Sequence, residues 1–430
     1  MPYTRGLDVE RDEVSAMSTV PTPTTVLTLD EINPASFDFW LRDDVEGALA
    51  KLRRERPVAW HQHPDSGKGF WSITRFDDVA AATRDWETFS SSYGIQVMTD
   101  PEDMQYMGAI RSMISTDPPK HTKLRSVVNR GFTPKMIAKA EGAVRERARR
   151  IVDTIAPRGE AEFVTEVADA LPVAIICDMM GVPEGDRAKL LDLTNRLLAG
   201  GDKDFGGTRE SLLQAAAELR EYGLWLGKKR LEHPENDLTT TLVHAEVDGE
   251  AMPPEDLGPF FLLLIAAGNE TTRTAISQGM WAFTQFPDEK RKWQADLDAL
   301  SASAVEEIIR WASPVMHMRR TVTRDTTFAG VSMERNQKIA MWYISANRDE
   351  KYFPDPYRFD IARTPNEQGA FGTGGAHFCL GAHLARREVT AMFVELFRRL
   401  PDIEATAEPE KLRSNFIRGI KRLPVAFKPA

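Results

Sequence analysis

The stretch Phe371 to Arg386, FGTGGAHFCLGAHLAR, constrains this chain more than any other. Gly372, Gly374 and Gly375 precede Cys379 in a turn that needs glycine's backbone freedom, and a helix-forming run begins near Leu380. Any fold must therefore bring a bent loop, a cysteine and a helix N-terminus together. The free N–H groups and positive end of that helix point at the sulfur and are expected to lower its pKa. Gly381 removes a side chain where a large planar ligand would press on the helix. The arrangement suits a thiolate ligand to haem iron. Two other readings fit the turn alone. A lone free cysteine is commonly an inert buried side chain. Cys379 with His377 and His383 would supply part of a zinc site, although a full ligand set at the usual spacing is missing.

The 430 residues allow either two lobes or one large helical domain. Two cysteines exclude a disulfide framework and fit a reducing cytoplasm. The N-terminal segment lacks a basic stretch followed by an apolar one, so neither a secretion signal nor a membrane anchor is expected. The longest apolar run, Phe260 to Ala267, is too short to span a bilayer. A net charge of -9 argues against nucleic acid as a general partner. Residues 111 to 150 nevertheless carry eleven Lys/Arg against three Asp/Glu, 11 - 3 = +8.

Residues 1–33, rich in Thr, Pro and acidic residues, are expected to form a mobile arm before one catalytic domain over 34–430. Between Tyr93 and Met113, Ile95, Val97, Met98, Met104 and Met107 form either an adaptable pocket lining or a core-covering loop. Asp117-Pro118-Pro119 reads as a helix start with Asp117 as N-cap. His121 and Arg125 then share a face, where they can reach one anion or lie as a solvated basic pair. Further helices are expected over Lys135–Arg158, Glu162–Met180, Leu190–Leu198 and Arg209–Arg230, with Cys177 an inert buried thiol. Gly200, Gly201, Gly206 and Gly207 make either a lid hinge or ordinary turns. In the helix expected over Asp256–Phe286, Ala266, Ala267 and Gly268 leave room on one face. A Thr271 bond to the Ala267 carbonyl would bend the helix and open a groove that admits O2. Glu270 and Thr271 offer a carboxylate and an alcohol for proton transfer, although a core helix with a capping threonine is the plainer alternative. Leu263, Ala267 and Thr271 share a face by their spacing of four and are expected to line a pocket together with Ala266.

The Phe371 stretch resembles the haem-binding loop of the cytochromes P450, Phe-Gly-x-Gly-x-His-x-Cys-x-Gly, with eight positions instead of seven from Phe371 to Cys379. DPPKHTKLR, AGNETT and Glu307-Ile308-Ile309-Arg310 match further segments of that family in the same order. The resemblance implies a mainly α fold with a smaller β-rich region. It implies haem b (iron protoporphyrin IX) on Cys379, within a loop that includes Phe371, His377 and Gly381. His121, Arg125 and Arg320 would meet the propionates, and Glu307 with Arg310 would pair with Arg358. Val315 and Met316 would border the substrate, with Phe416 inserted above the haem from the turn at Gly419. The partners implied are O2, a ferredoxin and a ferredoxin reductase, and from the +8 balance Lys120, Lys123, Arg130 and Lys135, with Arg386 and Arg387, are expected to lie near the thiolate side and attract an acidic ferredoxin. The lengthened loop, DMMG, AGNETTR and RWASPV are similar to the subgroup that hydroxylates the terminal methyl of methyl-branched lipids, to which sterol side-chain hydroxylases are related. The expected activity is therefore a monooxygenase acting on an apolar branched lipid. A non-catalytic haem-thiolate sensor is the alternative from another class, and the intact acid–alcohol pair favours the enzyme.

Overall fold

A computed structural model describes residues 22–64, 67–98, 112–129, 132, 134–198, 200–247, 250–251 and 254–430. In chain order the helices are α1 (Val45–Glu55), α2 (Phe76–Arg84), α3 (Lys120–Asn129), α4 (Pro134–Ile155), α5 (Ala170–Met180), α6 (Arg187–Leu198) and α7 (Arg209–Glu232). They continue with α8 (Leu238–Val243), α9 (Pro254–Gln285), α10 (Pro287–Ala295), α11 (Leu297–Ala312), α12 (Tyr343–Ala346) and α13 (Ala382–Arg399). Strands β1 (Val58–Gln62), β2 (Gly69–Ile73) and β3 (Phe89–Ser90) join a five-stranded sheet with two later segments, His317–Val322 and Lys338–Trp342. The sheet is antiparallel except where Lys338–Trp342 runs parallel to β2, with Ile339 opposite Trp71. A mainly helical protein with a smaller β-rich region is what the sequence implies and what the chain forms.

The helix α9 lies in the middle because both of its faces are apolar. One face packs with α10, α11 and α13, where Phe283 meets Trp293, Phe393 and Phe397 at centroid separations of 5.2–5.6 Å. Such pairs contribute about 0.5–1.5 kcal/mol each beyond the area they bury. The other face packs with α5, α6, α7 and α8. Where α7 crosses α9, glycine replaces side chains on both helices. A Cβ on Gly227 would fall 1.7 Å from Leu257 Cδ2, and one on Gly223 would fall 2.5 Å from Phe261 Cβ. A Cβ on Gly258 would lie 2.9 Å from the Arg220 carbonyl oxygen.

Several expectations need correction. Of the arm expected over 1–33, residues 1–21 lie outside the described residues, while 22–33 pack onto α1. Ile32 is fully buried, and Thr25 donates to Asp44 at 2.6 Å. The helix expected over Glu162–Met180 divides into a strand at Glu160–Glu162, a π-helical turn at Val164–Ala168, and α5. Asp117 does not cap α3 with its side chain, because that carboxylate accepts from the Ser91 N–H at 2.8 Å and the Ser92 hydroxyl at 2.8 Å. Glu307 pairs with Arg310 at 2.7 Å and with Arg363 at 3.2 Å. Arg358, the expected third member, contributes only its carbonyl, which accepts from Arg310 and Arg363. The segment after α12 is irregular, so no period in the sequence told which arginine turns inward. Burial opposes the Glu307 charge, but Arg310 and Arg363 outweigh it and hold the carboxyl below its ordinary value.

Candidate active site

Cys379 sits where the sequence requires, between a glycine turn and the start of α13. Its N–H donates to the Phe371 carbonyl at 2.9 Å, which closes the loop on itself. Gly374 and Gly375 take φ of +104° and +78°, and a Cβ on Gly375 would meet the Thr83 carbonyl oxygen at 3.0 Å. The backbone N–H groups of Gly381 and Ala382 point at the sulfur, and Arg125 and Arg386 add positive charge. These donors lower the thiol as expected, but burial outweighs them and raises it above its ordinary value, because a thiolate is costly to desolvate. Among the described residues no three His, Cys, Asp or Glu side chains converge on one point, and His383 faces a different groove, which removes the zinc reading.

Above the loop lies a cavity of ≈ 230 Å³ lined by α3, α5, α9, α13, the segment from Pro314 to Arg320 and the Phe371–Gly381 loop. His121, Arg125, Arg320 and His377 gather on it, with the two imidazoles 4.2 Å apart. Burial and then Arg125 hold His121 at about 4, and burial followed by Arg320 also depresses His377. Both histidines are therefore neutral near pH 7. Arg125 donates to the Ala376 carbonyl at 3.0 Å and Arg320 to the Arg319 carbonyl at 2.8 Å. Both ring nitrogens of His121 are buried without a hydrogen-bond partner. Two guanidiniums and an unsatisfied imidazole thus face the cavity, while Gly381 leaves nothing within 4 Å of where a Cβ would project. Carboxylate groups on a flat ligand above a thiol fit this donor set, as haem requires.

On α9 the cavity is aliphatic. Thr271 Oγ1 donates to the Ala267 carbonyl at 2.8 Å, and Leu263, Ala267 and Thr271 all line the space. Ala266 does not. It lies one position, or about 100°, off that face and is buried against the α5–α8 side. Glu270 is likewise turned away and 1% exposed, forming an ion pair with Arg273. Val315 reaches the cavity, whereas Met316 is buried in the core under α1 because side chains alternate in extended backbone. Val97 and Met98 belong to that same core. The Val97 N–H donates to His317 Nε2 at 3.0 Å, and Met98 Sδ contacts His63. Ile95 and Phe416 form a small cluster with Leu412 and Ile417 that backs Val315 and Met318 and does not line the cavity. Met104 and Met107 lie outside the described residues.

The lining also includes Met113 and Gly268, which the sequence reading had named, and residues that it missed, namely Ile114, Phe132, Ile176 and Met318. Ile176 reaches the cavity beside Gly268, where an added Cβ would lie 3.0 Å from it. Their only signal was apolarity, which core residues share. Glu388 on α13, within HLARRE, is another. It is 2% exposed and pushed up to about 8 by burial, partly opposed by a hydrogen bond with Thr272. A larger, open groove of ≈ 570 Å³ runs between α4, α11 and α13. Its polar rim is already committed to ion pairs such as Arg145–Glu141, Arg386–Glu306 and Arg398–Asp298, so the chemistry belongs to the smaller cavity.

The family description Cytochrome P450 matches residues 208–423. The chain is 46% identical over 417 residues to a methyl-branched lipid omega-hydroxylase of Mycobacterium tuberculosis, covering 94% of this chain and 97% of that protein. It is 38% identical over 410 residues to a steroid C26-monooxygenase of Rhodococcus jostii, covering 92% and 86%. A Mycobacterium marinum cytochrome P450 solved in complex with pseudoionone superposes with a TM-score of 0.87 at 38% identity, covering 94% of this chain and all of that one.

Proposed function

The chain belongs to the cytochrome P450 family and is a haem-thiolate monooxygenase, and from that premise we propose that it hydroxylates the terminal methyl of methyl-branched lipids. The observation that carries the substrate reading is the lining of Leu263, Ala267, Ile176, Val315 and Met318, aliphatic throughout, with Thr271 offering a small neutral hydroxyl. Such a surface favours an apolar chain over a small hydrophilic ligand.

In this reading the cofactor is haem b, with Cys379 as the iron ligand and His121, Arg125 and Arg320 holding its propionates. Phe371, His377 and Gly381 shape the loop beneath it. The bound haem supplies O2 activation, so that two electrons and two protons leave one oxygen atom in a C–H bond and the other in water. Thr271 holds a proton at Oγ1 beside the cavity, and Glu270 replenishes it after turning from Arg273. The electron donors are a ferredoxin and its reductase in the cytoplasm, a setting supported by the two free thiols. Arg145, Arg147, Arg149, Arg150, Arg386 and Arg387 are matched to carboxylates, which leaves the exposed Lys120 at the start of α3 as a better contact for an acidic partner, while Arg130 and the Lys135 side chain lie outside the described residues. Among the described residues no helix is long and apolar enough to cross a membrane.

Terminal hydroxylation demands orientation, because the methyl C–H bonds are stronger than those of the neighbouring carbons. A branched end fills a narrow pocket more completely than a straight one. Each extra buried CH2 contributes about 0.8 kcal/mol, or about fourfold in Kd. The test compares branched and straight acyl chains of equal length by their Soret shifts, followed by mapping of the oxidised carbon. Tighter binding of the branched chain with oxidation at its end is expected. Equal affinities, or oxidation mainly at internal carbons, would remove the reading. A sterol side chain ends in the same branched shape, and the relative named a steroid C26-monooxygenase makes it the third ligand to compare.

A further inference from the structure

Glu270 does not stand alone behind the cavity. Its Oε1 pairs with Arg273 Nη2, three residues along α9, while its Oε2 is buried with no hydrogen-bond partner. Arg273 is 5% exposed and divides its other guanidinium nitrogen between two neighbours. Nη1 lies 3.1 Å and 3.3 Å from the two oxygens of Asp169, and it donates to Asn195 Oδ1 at 2.9 Å. Asp169 directly follows the π-helical turn Val164–Ala168, whose extra residue sets where α5 begins. Asn195 belongs to α6. Gly419 lies beside the acid, where a Cβ would be in ordinary contact with Glu270 Oε1 at 3.6 Å and would crowd Leu412 at 2.9 Å.

We propose that Asp169 and Arg273 are positioning residues for Glu270. Arg273 is shared between two buried carboxylates, and the charge on Asp169 sets how firmly the arginine holds Glu270 away from Thr271. This rests on the reading of Glu270 and Thr271 as the acid and alcohol that pass protons. Two carboxylates around one guanidinium leave a buried net charge of one when both are ionised, which low dielectric disfavours. The surroundings do not relieve it. Asp169 faces Arg273 and Glu270 from α9, Glu162 from the preceding strand and the neutral Asn195 from α6. Burial first, then the Glu270 and Glu162 charges, push the Asp169 carboxyl up to about 7 against the pull of Arg273. With Asp169 protonated, Arg273 belongs to Glu270 and holds it. Once Asp169 ionises, the arginine is drawn toward α5 and Glu270 is loosened, with its unpartnered Oε2 free to seek a partner near Thr271.

The test follows carboxyl protonation in the ferric holoenzyme by infrared difference spectroscopy across pH 5 to 9. The parent is expected to show a carboxyl titrating near pH 7, distinct from Glu388 at about 8. Asp169→Asn should abolish that transition and leave the Glu388 one. Glu270→Gln should move it down by about one pH unit or more, a tenfold change in the ionised ratio, because Arg273 then serves Asp169 alone. Persistence of the transition in Asp169→Asn, or an unmoved midpoint in Glu270→Gln, overturns the sharing. Should Asp169→Asn fail to fold, the Glu270→Gln midpoint decides. Turnover supplies the second readout. Asp169→Asn should lower product formed per electron consumed, with an unchanged substrate-induced Soret shift, and unchanged coupling overturns the positioning role. Full coupling in Glu270→Gln would instead remove the acid–alcohol reading while leaving the infrared result standing.

Discussion

Glu388→Gln is expected to make stability less dependent on pH, and the sign follows from where the proton resides. Glu388 is buried between α13 and α9 beside Thr272, and its carboxyl is pushed up to about 8 against an ordinary 4.5. Below pH 4.5 both folded and unfolded chains hold the proton, so the group adds no pH dependence. Between 4.5 and 8 the unfolded chain has released it and the folded chain has not, so stability falls as pH rises. Above 8 the full penalty is present. At about 1.36 kcal/mol per pH unit the gap corresponds to about 5 kcal/mol. Glutamine keeps the shape and a hydrogen-bonding group for Thr272 but has no proton to lose. The variant should match the parent at pH 5 to within about 1 kcal/mol and exceed it by several kcal/mol at pH 9. Guanidinium unfolding of the holoprotein at pH 5, 7 and 9, read by far-ultraviolet circular dichroism, measures the difference. A constant offset between the two proteins at all three values would refute the argument that Glu388 keeps its proton in the fold.

Glu307→Ala should cost about 3–5 kcal/mol, because it leaves Arg310 buried without its counter-charge, and a denaturant midpoint little changed from the parent would contradict this. Arg358→Ala, by contrast, removes no ion pair to Glu307 and should be far milder in the same assay. Thr271→Ala is expected to keep haem and substrate binding while diverting electrons to peroxide, which a coupled oxygen-consumption and peroxide assay reads; full coupling would show that the hydroxyl manages no proton. Ile176→Phe should shift the oxidised carbon or weaken branched-chain binding, since Ile176 meets the cavity at Gly268, whereas Met98→Ala should lower stability with the product pattern intact. Identical product patterns in both variants would mean that Ile176 does not touch the substrate.

What the sequence disclosed depended on periodicity. Leu263, Ala267 and Thr271 were legible because a spacing of four in a helix leaves one face, and the cavity is on that face. Glu270 is adjacent in sequence, yet one residue is about 100° of rotation, and its partner Arg273 was hidden by the same local reading. Where no period exists the reading failed. Val97 and Met98 occupy a turn whose direction is set by His317, and Arg363 lies in an irregular segment that offered Arg358 as an equal choice. The Cys379 thiol was half legible for a different reason. The helix end and its donors are local and visible in sequence, whereas the burial that outweighs them is set by tertiary packing around the loop.

The glycine crossing of α7 on α9 limits how this scaffold can diversify. With Gly223 against Phe261, Gly227 against Leu257 and Gly258 against the Arg220 carbonyl, the two helices already pack closely, so no substitution at these glycines can draw them together, and any side chain added must lever them apart. Changes in the size of the accepted molecule are therefore channelled to lining positions outside the long helices, such as Ile114, Val315 and Met318. Related proteins with this crossing should keep the same helix spacing and differ in the cavity walls, and a library aimed at new substrates is best confined to those walls.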